Sequence, residues 1–341
     1  MKVLVTGGTG FIGSHTVVEL LAAGHTVCIA DNLSNSGKEV LHGIAAISGK
    51  TIDFSQTDLC DLNALSLLFR EEGPFDGVIH FAAFKAVGES MQLPLKYYRN
   101  NLSSTAHLLM CMQDAGCQNL VFSSSCTVYG LPDQLPVDET APVKPALSPY
   151  GNTKQISEEM ICDAARTSDL RAEILRYFNP IGAHSSALIG ELPLGTPNNL
   201  IPYMTQTAIG KREVLSVYGD DYPTKDGTCM RDYIHVTDLA KAHVVALERM
   251  HKGHSKEQVE FFNLGTGQAF SVLEVIRAFE KISGQKLNYR ITARRAGDVP
   301  EVWADTQKAN EVLGWKAEAG LEEMVLSAWK WEQYLHENNI K

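Results

Sequence analysis

Short apolar runs rich in β-branched residues alternate with longer stretches of helical spacing through the first half of the chain. Residues 2–6 form the first run, a cluster of glycines follows, and apolar positions at helical spacing then extend over 11–23 until Gly24. The same alternation predicts strands at 26–30, 52–56, 77–81, 119–123 and 172–176. It predicts helices at 61–71, at 97–115, where Gly116 stops the element, and at 150–168. Strands that alternate with helices imply parallel βαβ units, so the expected class is α/β with a doubly wound parallel sheet.

The pattern changes near Phe178-Asn179. Residues 182–230 are rich in Gly, Pro and Asn, with a short helical piece at 200–210. Helices are expected at 238–250, 271–283 and 321–338, and a late strand at 260–264. This predicts a Rossmann-type domain over 1–178 and a smaller α/β substrate domain over 179–341. The two are expected to interleave, with about 233–266 returning to the first. There is no internal repeat and no low-complexity tract.

Composition narrows the function. The 341 residues are 44% hydrophobic and 21% charged, ordinary for a globular protein, and long enough for about two domains. A formal net charge of −10 argues against a nucleic-acid or membrane-surface binder, which needs clustered Lys and Arg. No apolar run reaches the length that spans a bilayer, and no signal peptide is apparent, because glycines from Gly7 onward break the first apolar run. The seven cysteines are widely spaced and lack a CxxC pattern, which suggests reduced thiols in a cytoplasmic protein. The eleven histidines form no HxxxH or similar pair beside a carboxylate, so no metal is expected.

Candidate chemistry begins at Thr6-Gly7-Gly8-Thr9-Gly10-Phe11-Ile12-Gly13, between the first strand and the first helix. One glycine allows a tight turn, a second lets a pyrophosphate approach the backbone, and a third lets helix and strand pack closely. The helix N-terminus then offers free N–H groups and a positive dipole end. Asp31 closes the second strand, where a carboxylate accepts from a ribose 2′-hydroxyl and repels a 2′-phosphate; this favours NAD over NADP. Asp58-Leu59 follows the third strand and would lie beside the adenine, although Asp58 could instead cap the next helix.

Tyr150 and Lys154 stand four residues apart, on one side of a predicted helix. A nearby ammonium and a positive nicotinamide ring favour the phenolate; lowering a tyrosine pKa by ~3 units takes ~4 kcal/mol. Ser125 ends the fifth strand, and its hydroxyl can bridge the reacting oxygen and the tyrosine.

These motifs, in this order, resemble the extended short-chain dehydrogenase/reductases, and more narrowly the UDP-glucose 4-epimerase family. The likeness runs from residue 1 to about 335. Its more specific segments are Phe81-Ala82-Ala83-Phe84-Lys85 and Tyr218-Gly219-Asp220-Asp221-Tyr222-Pro223-Thr224, joined by Arg231-Asp232-Tyr233 and Arg294-Arg295-Ala296-Gly297-Asp298. The resemblance implies tightly held NAD, a UDP-sugar substrate and a homodimer, with helices 97–115 and 152–168 pairing across its axis. Tyr150 would take the 4′-hydroxyl proton while C4 gives up hydride. The 4-keto sugar would turn while UDP anchors it, and hydride and proton would return to its other face. Carried over residue by residue, it places Gly7, Gly10, Phe11, Ile12, Gly13, Asp31, Asn32, Asn35, Ser36, Asp58, Leu59, Phe81, Ala82, Lys85, Asn100, Ser125, Tyr150, Lys154 and Phe178 at the cofactor. It places Lys85, Ser125, Thr127, Tyr150, Asn179, Asn199, Leu200, Tyr218, Arg231, Arg295, Asp298 and Val302 at the substrate. Arg231 and Arg295 would neutralise a diphosphate, and Asp298 would accept from a ribose.

Two features bear on the particular reaction. Val302 stands where some relatives carry tyrosine, which suggests room for an N-acetyl group and use of UDP-GlcNAc and UDP-GalNAc; the other reading is plain packing. Cys126 and Thr127 stand where nucleotide-sugar 4,6-dehydratases carry an Asp-Glu acid–base pair, so elimination lacks its acid. A simple dehydrogenase and a non-catalytic dinucleotide sensor on the same fold are the remaining alternatives. A sensor has no need of Ser125, Tyr150 and Lys154 together.

Overall fold

The computed structural model describes residues 1–295 and 297–340; Lys341 and Ala296, the latter within the 294–298 motif, lie outside the described residues. The first half runs β1 (Lys2–Thr6), α1 (Phe11–Ala22), β2 (Thr26–Ala30), α2 (Glu39–Ser48), β3 (Asp53–Ser55), α3 (Leu62–Glu72), β4 (Gly77–His80), α4 (Val87–Gln92), α5 (Pro94–Ala115), β5 (Asn119–Ser125), α6 (Pro149–Arg166) and β6 (Arg171–Tyr177). The second half adds β7 (Asn179–Ile181), α7 (Leu200–Ala208), β8 (Leu215–Tyr218), β9 (Met230–His235), α8 (Val236–His251), β10 (Val259–Leu264), β11 (Ala269–Ser271), α9 (Val272–Ser283), β12 (Tyr289–Thr292), β13 (Glu301–Val302) and α10 (Leu321–Glu337).

Seven strands form one parallel sheet in the order β10-β6-β5-β4-β1-β2-β3. Alternation along each strand feeds two cores. Val3 and Val5 join Val17 and Leu20 of α1 and Leu239 and Leu247 of α8 on one face. Leu4 joins Leu65, Leu108 and Ile161 of α3, α5 and α6 on the other. The order reverses between β1 and β4. At such a switch point the loops leave in opposite directions and open a crevice at the carboxyl ends of the strands.

The remaining strands form two smaller sheets. β9 pairs with β7, β11 and β13, and β8 pairs with β12. A third core lies beneath them, built around Met204, Phe279, Leu287 and Trp329. β9 lies in a smaller sheet, whereas α8 packs on α1 and β10 adds to the main sheet beside β6.

The hydrophobic pattern does not anticipate the six-residue α4, nor α2. Its interior glycine, Gly43, reads as a breaker, but a Cβ there would lie 2.4 Å from the Leu188 carbonyl oxygen, so close backbone approach requires it. The short strands β7, β8, β9, β11, β12 and β13 are likewise unanticipated. Each has two to six residues and pairs with distant segments.

Candidate active site

The glycine-rich turn lies at the switch point. Gly7 has φ +70°, and a Cβ there would stand 2.7 Å from the Ala82 nitrogen. A Cβ on Gly13 would stand 2.3 Å from the Gly7 carbonyl oxygen. Side chains are therefore excluded, and backbone packs on backbone between β1, α1 and the segment after β4. Gly10 precedes α1 and supplies no capping side chain, so the first-turn amides of Phe11, Ile12 and Gly13 remain available to an anion. Phe81 donates its amide to Thr6 at 3.0 Å and continues the strand pairing beside this turn.

Asp31 is buried at the end of β2. Its carboxylate accepts from the Thr9 amide at 3.2 Å and the Leu33 amide at 2.9 Å, with Ser36 Oγ at 3.5 Å. An ionised carboxylate has about four acceptor positions, so capacity remains for a ribose hydroxyl. Asn32 accepts from the Ser34 amide in the following turn, and Asn35 is exposed at its tip. This carboxylate and the cradle that only glycines allow fit a dinucleotide. Asp58 does not cap α3. That role falls to Asp61, which accepts from the Asn63 and Ala64 amides, so the capping alternative for Asp58 is set aside. The Leu59 side chain is buried in the core, and its carbonyl pairs with His107. Asn100 donates to Asn101 and accepts from the Cys60 thiol beside Asp58.

The fifth strand and sixth helix build the reactive group. Ser125 ends β5. Ser148 caps α6 by accepting from the Gly151 amide at 3.1 Å, with Pro149 in the first turn. This places Tyr150 at the helix entrance and Lys154 one turn further in. Lys154 Nζ donates to the Ser123 carbonyl at 2.6 Å, and the Phe122 ring lies beneath it at 4.8 Å. Burial pushes the Lys154 ammonium down to about 8, against the opposing pull of the Glu158 carboxylate. Burial pushes the Tyr150 phenol up to about 12, and only the hydrogen bond with Ser125 pulls it back. The expected phenolate rests on the lysine together with a positive nicotinamide ring; the protein's own groups do not hold the tyrosine low by themselves. The ammonium is committed to a carbonyl, and desolvation outweighs what the protein groups contribute.

Sequence reasoning missed the supports of this group. Glu158, one turn beyond Lys154, is buried and receives Arg176 through both carboxylate oxygens, at 3.0 and 2.6 Å, plus Ser124 Oγ at 2.5 Å. Asn101 accepts from the Phe84 amide, donates to the Phe84 carbonyl, and donates to Thr153 Oγ1; Thr153 in turn donates to the Tyr150 carbonyl at 2.7 Å. The loop after β4 and the catalytic helix are thereby held in one register. A glutamate at helical spacing from Lys154 was the available signal for the first support. Asn101 carried no signal beyond its proximity to Asn100.

Lys85, Ser125, Thr127 and Tyr150 come from the first half, and the other predicted substrate residues from the second. Asp298 accepts from Arg295 at 2.9 and 3.2 Å and stands 3.7 Å from Arg231, and Arg295 lies over the Tyr218 ring at 5.6 Å. Val302 is the strand partner of Arg231 and is buried in an apolar cluster with Phe178, Val128 and Val137. Thr127 Oγ1, two residues after Ser125, is buried with no hydrogen-bond partner among the described residues. Asn179 opens β7, and Leu200 opens α7 behind Asn199. Asn199 and Lys85 meet at Glu191, which sequence reasoning also missed: Oε1 accepts from Asn199 Nδ2 at 2.6 Å and from Lys85 Nζ at 3.0 Å. Among the described residues, no group of three or more His, Cys, Asp or Glu has metal-holding geometry.

A doubly wound sheet, a glycine cradle at its switch point and a Ser–Tyr–Lys group across β5 and α6 define an enzyme of the extended short-chain dehydrogenase/reductase class. The family model described as GDP-mannose 4,6 dehydratase matches residues 4–327. A UDP-glucose 4-epimerase of Bacillus subtilis is 50% identical over 333 residues, covering 97% of each chain. The crystal structure of a UDP-glucose-4-epimerase from Stenotrophomonas maltophila with bound NAD and formylated UDP-arabinopyranose superposes with a TM-score of 0.95 at 50% identity, covering 99% of each chain. A UDP-Glc/GlcNAc 4-epimerase from Campylobacter jejuni superposes with a TM-score of 0.83 at 40% identity, covering 98% of this chain and 99% of its own. The chain belongs to this nucleotide-sugar family and, within it, to the UDP-glucose 4-epimerases.

Proposed function

We propose that this chain interconverts UDP-galactose and UDP-glucose by transient oxidation at sugar C4, with NAD retained through the cycle. The observation that carries the reading is the Ser125–Tyr150–Lys154 group where β5 ends and α6 begins, followed by Cys126, on which the Arg231 charge acts. Bound NAD supplies the hydride acceptor and donor at C4, along with a positive charge that favours the phenolate. Tyr150 Oη takes the 4′-hydroxyl proton and gives it back, Ser125 Oγ bridges the two oxygens, and Lys154 holds positive charge nearby. Arg231 and Arg295 bind the diphosphate, with Asp298 orienting both guanidinium groups. UDP stays anchored while the 4-keto sugar turns, so binding energy remote from C4 prevents its escape. In this reading residues 1–178 hold the cofactor together with the returning segment near 233–266, and the rest of 179–341 holds the UDP-sugar.

Elimination is disfavoured although the matching family model is described by a dehydratase. Cys126 and Thr127 follow Ser125, and burial pushes the Cys126 thiol up to about 12, too weak an acid to protonate a leaving hydroxyl. Purified protein given UDP-galactose and no nicotinamide should form UDP-glucose, followed through the anomeric protons by NMR. No conversion, even with NAD added and UDP-GlcNAc tried, would move the assignment to another oxidoreductase.

Use of N-acetylated sugars is a second part of the proposal, supported by the Campylobacter relative, whereas the burial of Val302 among Phe178, Val128 and Val137 fits plain packing. Val302→Tyr should lower kcat/KM for UDP-GlcNAc relative to UDP-glucose; an unchanged ratio sinks the idea. A homodimer in the cytoplasm completes the reading. Exposed Leu95 at 79%, Met91 and Met110 on α4 and α5 supply apolar surface for it, and light scattering should give twice the chain mass. No described helix is long and apolar enough to cross a membrane.

A further inference from the structure

Helix α6 carries Tyr150, Lys154 and Glu158 one turn apart along one side, and β5 meets that side with consecutive residues. The Ser123 carbonyl accepts from Lys154 Nζ at 2.6 Å, and Ser124 Oγ donates to Glu158 Oε1 at 2.5 Å. From β6, Arg176 donates to both oxygens of the same carboxylate, at 3.0 and 2.6 Å. Ser124, Lys154, Glu158 and Arg176 are all buried. Donors from two strands thus fix the Glu158 carboxylate in one pose, a turn away from the ammonium, and burial keeps solvent from screening the two charges. The other titratable groups around the pair are uncharged near neutral pH. Burial, then the lysine charge, pushes His80 of β4 down to about 3. Burial pushes the phenols of Tyr150 and Tyr129 up to about 12, and Tyr129 Oη accepts from Arg176. Burial, then the Glu158 carboxylate, raises the Cys162 thiol one turn further along α6.

We propose that Glu158 is a positioning residue for Lys154: its carboxylate, clamped by Arg176 and Ser124, is the fixed counter-charge that keeps the lysine protonated beside Tyr150. This deepens the functional reading above and rests on it, because that reading needs positive charge near the phenolate. Burial alone drives the lysine toward the neutral amine, which lends the phenol no charge. The Glu158 carboxylate opposes that drive. Arg176 and Ser124 occupy the carboxylate, so it acts on the lysine through its charge rather than by taking the proton. Lys154 Nζ bonds the Ser123 carbonyl instead, and its other N–H groups remain available to the site.

The test uses the holoenzyme as purified and reads Lys154 twice. Its titration is followed by NMR of protein carrying 13C at lysine Cε, with the signal identified by its loss in Lys154→Arg. The alkaline limb of kcat for UDP-galactose is measured beside it. Glu158→Gln keeps the shape and an acceptor oxygen and removes only the charge. Both midpoints should fall by about one pH unit, which at pH 8 lowers kcat about fivefold. The direction separates charge from packing. A helix merely loosened by the substitution admits water, relieves the burial of Lys154 and moves both midpoints up. Should Glu158→Gln fail to fold, Glu158→Leu with Arg176→Met removes both charges from the pair, and its Lys154 midpoint should also lie below that of the wild type. A midpoint unmoved or raised in the folded variant overturns the proposal. If the wild type forms UDP-glucose in that case, the functional reading stands and only the role of Glu158 falls. If the wild type forms none while the Lys154 midpoint falls as expected, Glu158 still holds the charge and the functional reading falls.

Discussion

Burial drives Tyr150 and Lys154 in opposite directions, the phenol up to about 12 and the ammonium down to about 8, each toward its neutral form. The unfolded lysine keeps its proton to about 10.5. Between about 8 and 10.5 the unfolded chain therefore binds a proton that the folded chain has lost, and this group's contribution to stability rises with pH across that window. Below about 8 the cost of burying the ammonium is felt in full. Activity runs the other way, because the phenolate needs a positive neighbour. The kcat profile should fall on the alkaline side with a midpoint near 8. Lys154→Arg keeps the charge and should move that limb upward while lowering the plateau; an unmoved limb would show that Lys154 is not the titrating group. The residues that react were legible as Tyr150-x-x-x-Lys154 with a serine upstream. The tyrosine's raised value was not, because desolvation depends on what the fold places around the ring.

The elements of the first half were legible because each buried strand is a short apolar run and each helix an amphipathic one. Two kinds of element were not. α2 hides behind Gly43, whose lack of a side chain serves packing against Leu188 and Ile189 rather than a turn. The smaller sheets assemble from strands whose partners are remote, such as Val302 beside Arg231, and no local pattern encodes that pairing. The catalytic helix also depends on a contact invisible in its own sequence, the buried Arg176–Glu158 pair that ties α6 to β6. Arg176→Met alone leaves a buried carboxylate without its partner and should destabilise by about 3–5 kcal/mol. Adding Glu158→Leu should recover much of that, since an apolar pair avoids the desolvation cost. Equal losses from the single and double variants in urea melts would show that packing, not the unpaired charge, sets the cost.

At the scale of the whole molecule, the chain crosses between layers more than once. It leaves the main sheet after β6, builds the Arg231-bearing strand β9, then supplies α8 and β10 to the main sheet before finishing with β13 and α10. This path brings Val302 and Arg231 into one sheet, and Lys85, Glu191 and Asn199 to one point, although they come from distant segments. The Rossmann-type layer was legible from its alternating pattern, whereas these meetings follow only from the tertiary path. The central claim is that hydride leaves C4 and returns to C4. UDP-galactose deuterated at C4, converted in ordinary water without added nicotinamide, tests it most directly by mass and NMR analysis of the product. The account predicts UDP-glucose that keeps deuterium at C4 and gains none elsewhere; deuterium lost to water, or found at C6, would contradict it.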